Sequence, residues 1–313
     1  HRGITCVYIS HKLDEVFRIA DRITVLRDGE AVCTLEASTT DKAEVIRHMV
    51  GREITEFYPR QAVTPGEVLL HVDSLTVTGD TGTRSLGDIT LEVRSGEVLG
   101  LGGLMGAGRT ELLMHIMGAY GQRGAGTVQV DGCELRDHGP AQAIAAGLVL
   151  VSEDRKRYSL LLEKSIGFNL SLSALGQFAS GPWIDTNREI RRNQELFDAL
   201  GIRANSQQAM VGSLSGGNQQ KVVLGKALMT EPQVILLDEP TRGIDVAAKV
   251  EVYELINRLT DAGKAVLLVS SELQELMGMS DRMVILSNGR IGGRFDRGKA
   301  TQERILAAAM AHN

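Results

Sequence analysis

Cysteine, aromatic residues, excess positive charge and long apolar runs are all scarce in this sequence, and each shortage argues against a class of protein. Cys6, Cys33 and Cys133 lie far apart, form no CxxC pair and leave an odd count. That pattern speaks against a disulfide framework or a thiolate metal cluster, fits a reducing cytosol, and reads as three small packed hydrophobes. No uninterrupted apolar run approaches the roughly 18 to 20 residues that a bilayer-spanning helix requires. The formal net charge of −5 leaves no basic excess to neutralise a phosphate backbone, so nucleic acid is not an expected partner. Neither heptads nor basic arms are present. No Phe, Tyr or Trp occurs between Tyr58 and Tyr120.

What remains is an α/β chain with phosphate chemistry written into it. Of its 313 residues 43% are hydrophobic, enough to bury one large core and part of another. The octapeptide LSGGNQQK begins at Leu214 and places Ser215, Gly216 and Gly217 just before a helical run. A serine cap, two glycines and the positive end of a helix suit an anionic oxygen close to the backbone. Downstream, VILLDEP reads as a buried parallel strand with Asp238 and Glu239 at its carboxyl end, where open α/β sheets place ligands. Asp238 suits a hydrated magnesium ion, and Glu239 suits orientation or deprotonation of an attacking water.

Upstream, the strand EVLGLG leads into Gly103, Leu104, Met105, Gly106, Ala107, Gly108, Arg109 and Thr110, followed by the helical run TELLMHIMG. The spacing is that of the phosphate loop G-x-x-x-x-G-K-[ST], with Arg109 where lysine belongs. The strand, loop and helix context is what the motif requires. The loop amides would cradle phosphates and the Thr110 hydroxyl would face magnesium.

Phosphate loop, LSGGNQQK, LLDEP and then Asp245 in TRGID follow one another as they do in ATP-binding cassette proteins, which the chain resembles over essentially its whole length. More narrowly, GLMGAGRTELL, VSEDRKR, LSGGNQQK and LLDEPTRGIDV resemble the second half of the tandem ATPase subunits of bacterial importers for ribose, galactose, xylose or arabinose. The resemblance implies a P-loop NTPase cassette fold with a RecA-like core, an antiparallel β-subdomain and a helical subdomain. It also implies ATP and Mg2+ as ligands and an ATPase that powers sugar import at the cytoplasmic face of the inner membrane. The partners it implies are another cassette domain, an integral membrane permease and, indirectly, a periplasmic sugar-binding protein.

An internal repeat supports the tandem reading independently. An offset of 260 residues aligns Gly3 with Gly263, Ser10 with Ser270, Leu13 with Leu273, Glu15 with Glu275, and Asp21-Arg22 with Asp281-Arg282. It also aligns Leu26 with Leu286 and Gly29 with Gly289. The expected organisation is the tail of a first cassette over residues 1–50, a linker with two prolines and two glycines over 51–66, and a complete second cassette over 67–313. The rest of the first cassette is expected upstream. Residues 1–50, separated from most of their sheet, are expected to be loosely ordered or docked in a non-native way.

Expected elements include a strand over residues 4–9, a helix over 12–19, a strand over 22–27 turning at Asp28-Gly29, and a helix over 41–50. An antiparallel layer is expected between residues 68 and 98, a short hairpin strand over 127–130, and a helical subdomain at about 159–212, clearest in NREIRRNQELFDALGI.

Cassette pairs hold each ATP between the phosphate loop of one domain and the LSGG segment of the other. The resemblance therefore assigns His11, in HKLDEV, to the γ-phosphate and attacking water of one composite site, together with the LSGGN segment. Three departures gather at the other site: Arg109, Glu153 where the family places a magnesium-binding glutamine, and Ser271 where the repeat partner is His11. Glu153 still suits the cation but adds negative charge beside phosphates. The planar guanidinium of Arg109 cannot take the slot of a compact ammonium. The aromatic gap predicts that adenine stacking is missing. One hydrolytic and one weak regulatory site are expected, with base, metal ligand and sensor acting as a unit. The alternatives are a non-hydrolysing module that lends LSGGN to a partner, and a cassette ATPase acting on DNA or the ribosome. The segment EDRKRYSLLLEKSIGFNL is the expected permease contact, although its charged part reads equally as a solvated loop.

Overall fold

The computed structural model describes residues 4–10, 13–27, 29–50, 57–61, 63–79, 82 and 84–312. The first elements are α1 (Leu13–Ile19), β1 (Arg22–Arg27) and α2 (Lys42–Val50), close to the expected bounds, and β2 (Glu30–Glu36), which was not among the expected elements. The expected strand over residues 4–9 does not form. Ile4, Val7 and Ile9 are strongly exposed, and their backbone enters no ladder among the described residues. Val16, Ile23, Val25 and Val45 bury one another in a small cluster beneath the β1–β2 hairpin.

The rest of the chain builds two layers around one parallel sheet. β3 (Val68–Thr78) and β4 (Arg84–Arg94) pair antiparallel, and β6 (Gln122–Val130) and β7 (Cys133–Glu134) complete a four-stranded sheet in the order β4-β3-β6-β7. The central sheet holds β5 (Val98–Gly103), β8 (Leu148–Val151), β11 (Val234–Asp238), β12 (Ala265–Val269), β13 (Arg282–Ser287) and β14 (Arg290–Asp296). Its order is β14-β13-β5-β12-β11-β8, parallel except for β14. Continuous apolar strands such as Val234–Asp238 and Ala265–Val269 are buried throughout, as a sheet covered on both faces demands. One face packs against the antiparallel layer and α3 (Arg109–Ile116). The other packs against α7 (Gly216–Leu228) and α8 (Val246–Asp261).

Between β8 and α7 lies a largely helical insertion. α4 (Pro140–Ala145) precedes β8; α5 (Ile166–Ser171), a 3-10 segment (Leu172–Phe178) and α6 (Thr186–Ala199) follow it. A small hairpin of β9 (Ala179–Ser180) and β10 (Trp183–Ile184) interrupts the helices where only helix was expected, turning at Gly181 with positive φ. α9 (Leu273–Met279) and α10 (Gln302–Ala309) close the chain. All three cysteines are free, but Cys6 and Cys133 are exposed rather than packed, since one lies in the unpaired segment and the other on a sheet edge.

Part of the expected linker is firmly docked. Phe57 and Tyr58 meet the buried Tyr253 ring at centroid distances of 6.0 and 5.6 Å. Arg60 is buried and donates to Asp281, to the Thr260 hydroxyl at 2.6 Å and to the Gly96 carbonyl at 3.0 Å. Among the described residues no helix is long and apolar enough to cross a membrane.

Candidate nucleotide site

The phosphate loop connects β5 to α3 and is held from outside by the turn between β13 and β14, where the Gly289 N–H donates to the Ala107 carbonyl at 3.0 Å. Gly108 caps α3 at φ 96°, and a Cβ there would lie 2.8 Å from Leu86 Cδ2, so both conformation and space demand glycine. The first amides of α3 have no intrahelical acceptor and give the loop its donor capacity. Met105, at the tip, is almost fully exposed.

Thr110, the second residue of α3, donates its hydroxyl to Asp238 Oδ2 at 2.9 Å across the end of the sheet. The other Asp238 oxygen, Oδ1, is buried with no hydrogen-bond partner. Burial pushes the Asp238 pKa up to about 6, the Thr110 hydrogen bond opposes the rise, and the neighbouring Glu239 charge adds to it. A buried, unpartnered carboxylate oxygen beside a hydroxyl with free lone pairs is a donor set suited to a hard divalent cation.

Glu239 is buried and takes a left-handed φ of 50°, unusual for its residue type, with its N–H bonded to the Val269 carbonyl at 3.0 Å. Ser271 Oγ donates to Glu239 Oε2 at 2.9 Å. Arg109 Nη1 lies 3.6 Å from Glu239 Oε1 and donates to the Ser270 carbonyl at 3.1 Å. Thus Arg109, Thr110, Asp238, Glu239 and Ser271, distant in sequence, converge at the carboxyl ends of β11 and β12.

Ser215, Gly216, Gly217 and Asp245 form a second group. Ser215 caps α7 by accepting from the Asn218 N–H, and Asp245 caps α8 by accepting from the Ala248 N–H at 2.9 Å. A Cβ on Gly217 would lie 2.5 Å from Ala248 Cβ, so the glycine permits the two helix starts to meet. Glu153 forms an ion pair with the exposed Arg242. His11 lies outside the described residues.

Two features escaped the sequence reading. Arg155, within the charged segment read as a solvated or permease-facing loop, donates to the carbonyls of Arg242 and Gly243 at 3.0 and 3.3 Å, bracing the TRGID turn beside Gly216. Tyr120 donates to or accepts from Ser85 Oγ at 2.9 Å, which places an aromatic side chain against the start of β4, upstream of the phosphate loop, despite the local absence of aromatics. A Cβ on Gly79 would lie 2.6 Å from the Tyr120 hydroxyl, a long-range contact that no local pattern discloses.

The family described as ABC transporter matches residues 86–242, half of the chain, from β4 through the phosphate loop, signature helix and carboxylate strand. The chain belongs to the ABC transporter family. The ribose import ATP-binding protein RbsA 2 of Rubrobacter xylanophilus is 50% identical over 308 residues, 98% of this chain and 58% of that protein. The xylose import ATP-binding protein XylG of Geobacillus kaustophilus is 46% identical over 309 residues, 98% of this chain and 61% of that protein. The chain thus spans about three fifths of the length of these curated relatives. Among solved structures, an ATP-binding subunit of an ABC transporter covers 77% of this chain at TM-score 0.62 and 27% identity, with 99% of its own length matched. A nucleotide-free cassette from an ABC transporter matches 77% of this chain and 95% of its own at TM-score 0.65 and 21% identity, which bears on the fold alone. The P-loop cassette fold expected from the sequence is therefore present in this ABC transporter chain.

Proposed function

We propose that this chain binds MgATP and forms the C-terminal part of a tandem ATPase that powers monosaccharide import. The observation that carries the reading is the Thr110–Asp238 pair with its unpartnered Oδ1, set beside Glu239 at the mouth of the phosphate loop. Thr110 and Asp238 would hold Mg2+, which supplies charge neutralisation for the phosphates. Glu239 would orient the attacking water, and the loop amides would bind the phosphate oxygens. Glu153 joins the ion only if it leaves Arg242.

Residues 1–50 are then the tail of a first cassette, residues 67–313 the second, and Ser215, Gly216 and Gly217 serve ATP bound on the first, with His11 in that same composite site. The names of the relatives favour a pentose or related sugar. A permease at the inner membrane, fed by a periplasmic binding protein, is the expected partner. Tyr158, Leu161 and Phe168 support the docking assignment because they stand exposed on the expected contact segment. The ion pair of Arg109 with Glu239 favours a second reading, a regulatory site that binds nucleotide with little turnover.

Titration of the purified chain with labelled ATP and Mg2+, with phosphate release measured beside Glu239→Gln, separates the two. Binding without turnover supports the regulatory reading; turnover lost in Glu239→Gln supports hydrolysis; no binding at all overturns both. A pH series adds a check on Asp238. Its folded pKa of about 6 lies above the ordinary 3.8, so its ionised form is disfavoured in the fold. That penalty, on the order of 3 kcal/mol, is present above pH 6 and is relieved as the pH falls from 6 towards 3.8. Mg2+ competes with that proton, so Mg2+-dependent nucleotide affinity should weaken as the pH drops from 7.5 to 5.5. Asp238→Asn should remove the Mg2+ dependence and raise the ligand-free unfolding midpoint at pH 8 more than at pH 5.

A further inference from the structure

The two departures Arg109 and Ser271 act on one group. Arg109 approaches Glu239 Oε1 at 3.6 Å while Ser271 donates to Oε2 at 2.9 Å, so both oxygens of the candidate base are held by the chain itself. The guanidinium is 13% exposed, and the nitrogen that faces Glu239, Nη1, also donates to the Ser270 carbonyl at 3.1 Å, so the side chain is tethered beside the carboxylate. Glu239 cannot follow Arg109 elsewhere, because its backbone, just past β11, is fixed by the Val269 carbonyl at the end of β12. Arg109, by contrast, belongs to the first turn of α3, whose free amides face the position of an incoming anion.

Resting on the nucleotide-binding reading above, we propose that Arg109 is a two-position latch. In the ligand-free site it holds Glu239; the phosphate chain of a bound nucleotide draws it away and releases the carboxylate. Nucleotide binding and freeing of the base are then one coupled exchange, in which several negative charges on the ligand compete with one on Glu239 for a single guanidinium. The position that costs the site its compact ammonium thereby becomes a positioning device for Glu239.

The exchange makes a prediction that a static structural pair does not. Removing the Glu239 charge removes the competitor, so Glu239→Gln should tighten MgADP binding by about tenfold, within the usual range of coupling between contacting charges. ADP carries no γ-phosphate to hydrolyse, so the gain cannot reflect a stalled pre-hydrolysis complex. In an Arg109→Met background the same substitution should change affinity less than about twofold, because nothing is left to compete for. Where Arg109→Met lowers affinity below measurement, the neutral Arg109→Gln replaces it as the background, and the gain should again stay below about twofold. A urea-unfolding cycle of the same four proteins without nucleotide should show positive coupling that disappears at saturating MgADP. Equal gains in both backgrounds, no gain in either, or coupling that persists at saturation would overturn the latch. Failure of the unaltered chain to bind MgADP would instead overturn the nucleotide reading on which it rests.

Discussion

The hairpin of β1 and β2 and the hairpin of β13 and β14 pair in the same register 260 residues apart, yet one lies at the surface and the other in the sheet. Arg22 faces Glu36 as Arg282 faces Asp296, and both ladders shift register at the same step, between Val25 and Leu26 and between Ile285 and Leu286. Even the closing bond repeats: the Ala37 N–H donates to Asp21 O as the Arg297 N–H donates to Asp281 O, each at 2.9 Å. Leu26 is 66% exposed, whereas Leu286 is fully buried. The hairpin's register is therefore a local property of turn and bulge, while its burial depends on the neighbouring strand: β13 pairs with β5, and β1 has no such partner among the described residues.

The sharpest way to break this comparison is to shorten the same residue in both copies. Leu286 sits opposite Gly103, and its turn carries the Gly289 bond to the phosphate loop. Leu286→Ala should cost about 3 to 5 kcal/mol in urea unfolding, through a cavity in a sheet packed on both faces. It should also weaken nucleotide binding, because the loop loses its brace.

Arg60→Leu tests the second difference between the copies. Asp281 takes Arg60 and the Val98 N–H on its carboxylate, whereas its counterpart Asp21 is exposed. Removing the guanidinium leaves Asp281 half-buried beside the emptied partners Thr260 and Gly96. The expected loss is about 3 kcal/mol, measured by urea unfolding, because a buried pair broken on one side leaves an uncompensated charge. A loss below about 0.5 kcal/mol would mean that residues 57–61 are a passive tether.

The same contrast explains what the sequence disclosed and what it withheld. Short-range patterns were legible: the apolar run of β11, the phosphate-loop spacing and the Ser215 cap each depend on residues a few positions apart, and the match of β1 and its turn to β13 and its turn compares two such local patterns. The strand expected over residues 4–9 failed because β-branched, apolar residues make a strand only when a ladder pairs them, and this segment enters none among the described residues. Long-range side-chain partners were not legible either. Nothing near Arg109 indicates that its guanidinium turns to Glu239, or near Arg155 that it braces Arg242 and Gly243. Tyr120 stands 41 residues from the glycine whose missing side chain makes room for it.

The smallest effect is expected at Leu26, and it decides whether the first hairpin contributes to the stability of the whole. Its side chain is mostly in water, and the Val16, Ile23, Val25 and Val45 cluster beneath it does not depend on it. Leu26→Ala should change the unfolding free energy by less than about 0.5 kcal/mol. If the β1–β2 hairpin instead belongs to the same cooperative unit as the central sheet, its amides will exchange only on global unfolding, and Leu26→Ala will move the midpoint as Leu286→Ala does. With so small a cluster and no partner strand, we expect the β1–β2 amides to exchange through local opening well before those of β13. Amide protection in β1–β2 equal to that in β13 would mean that the hairpin's own apolar contacts suffice without the sheet, and the comparison would lose its physical basis.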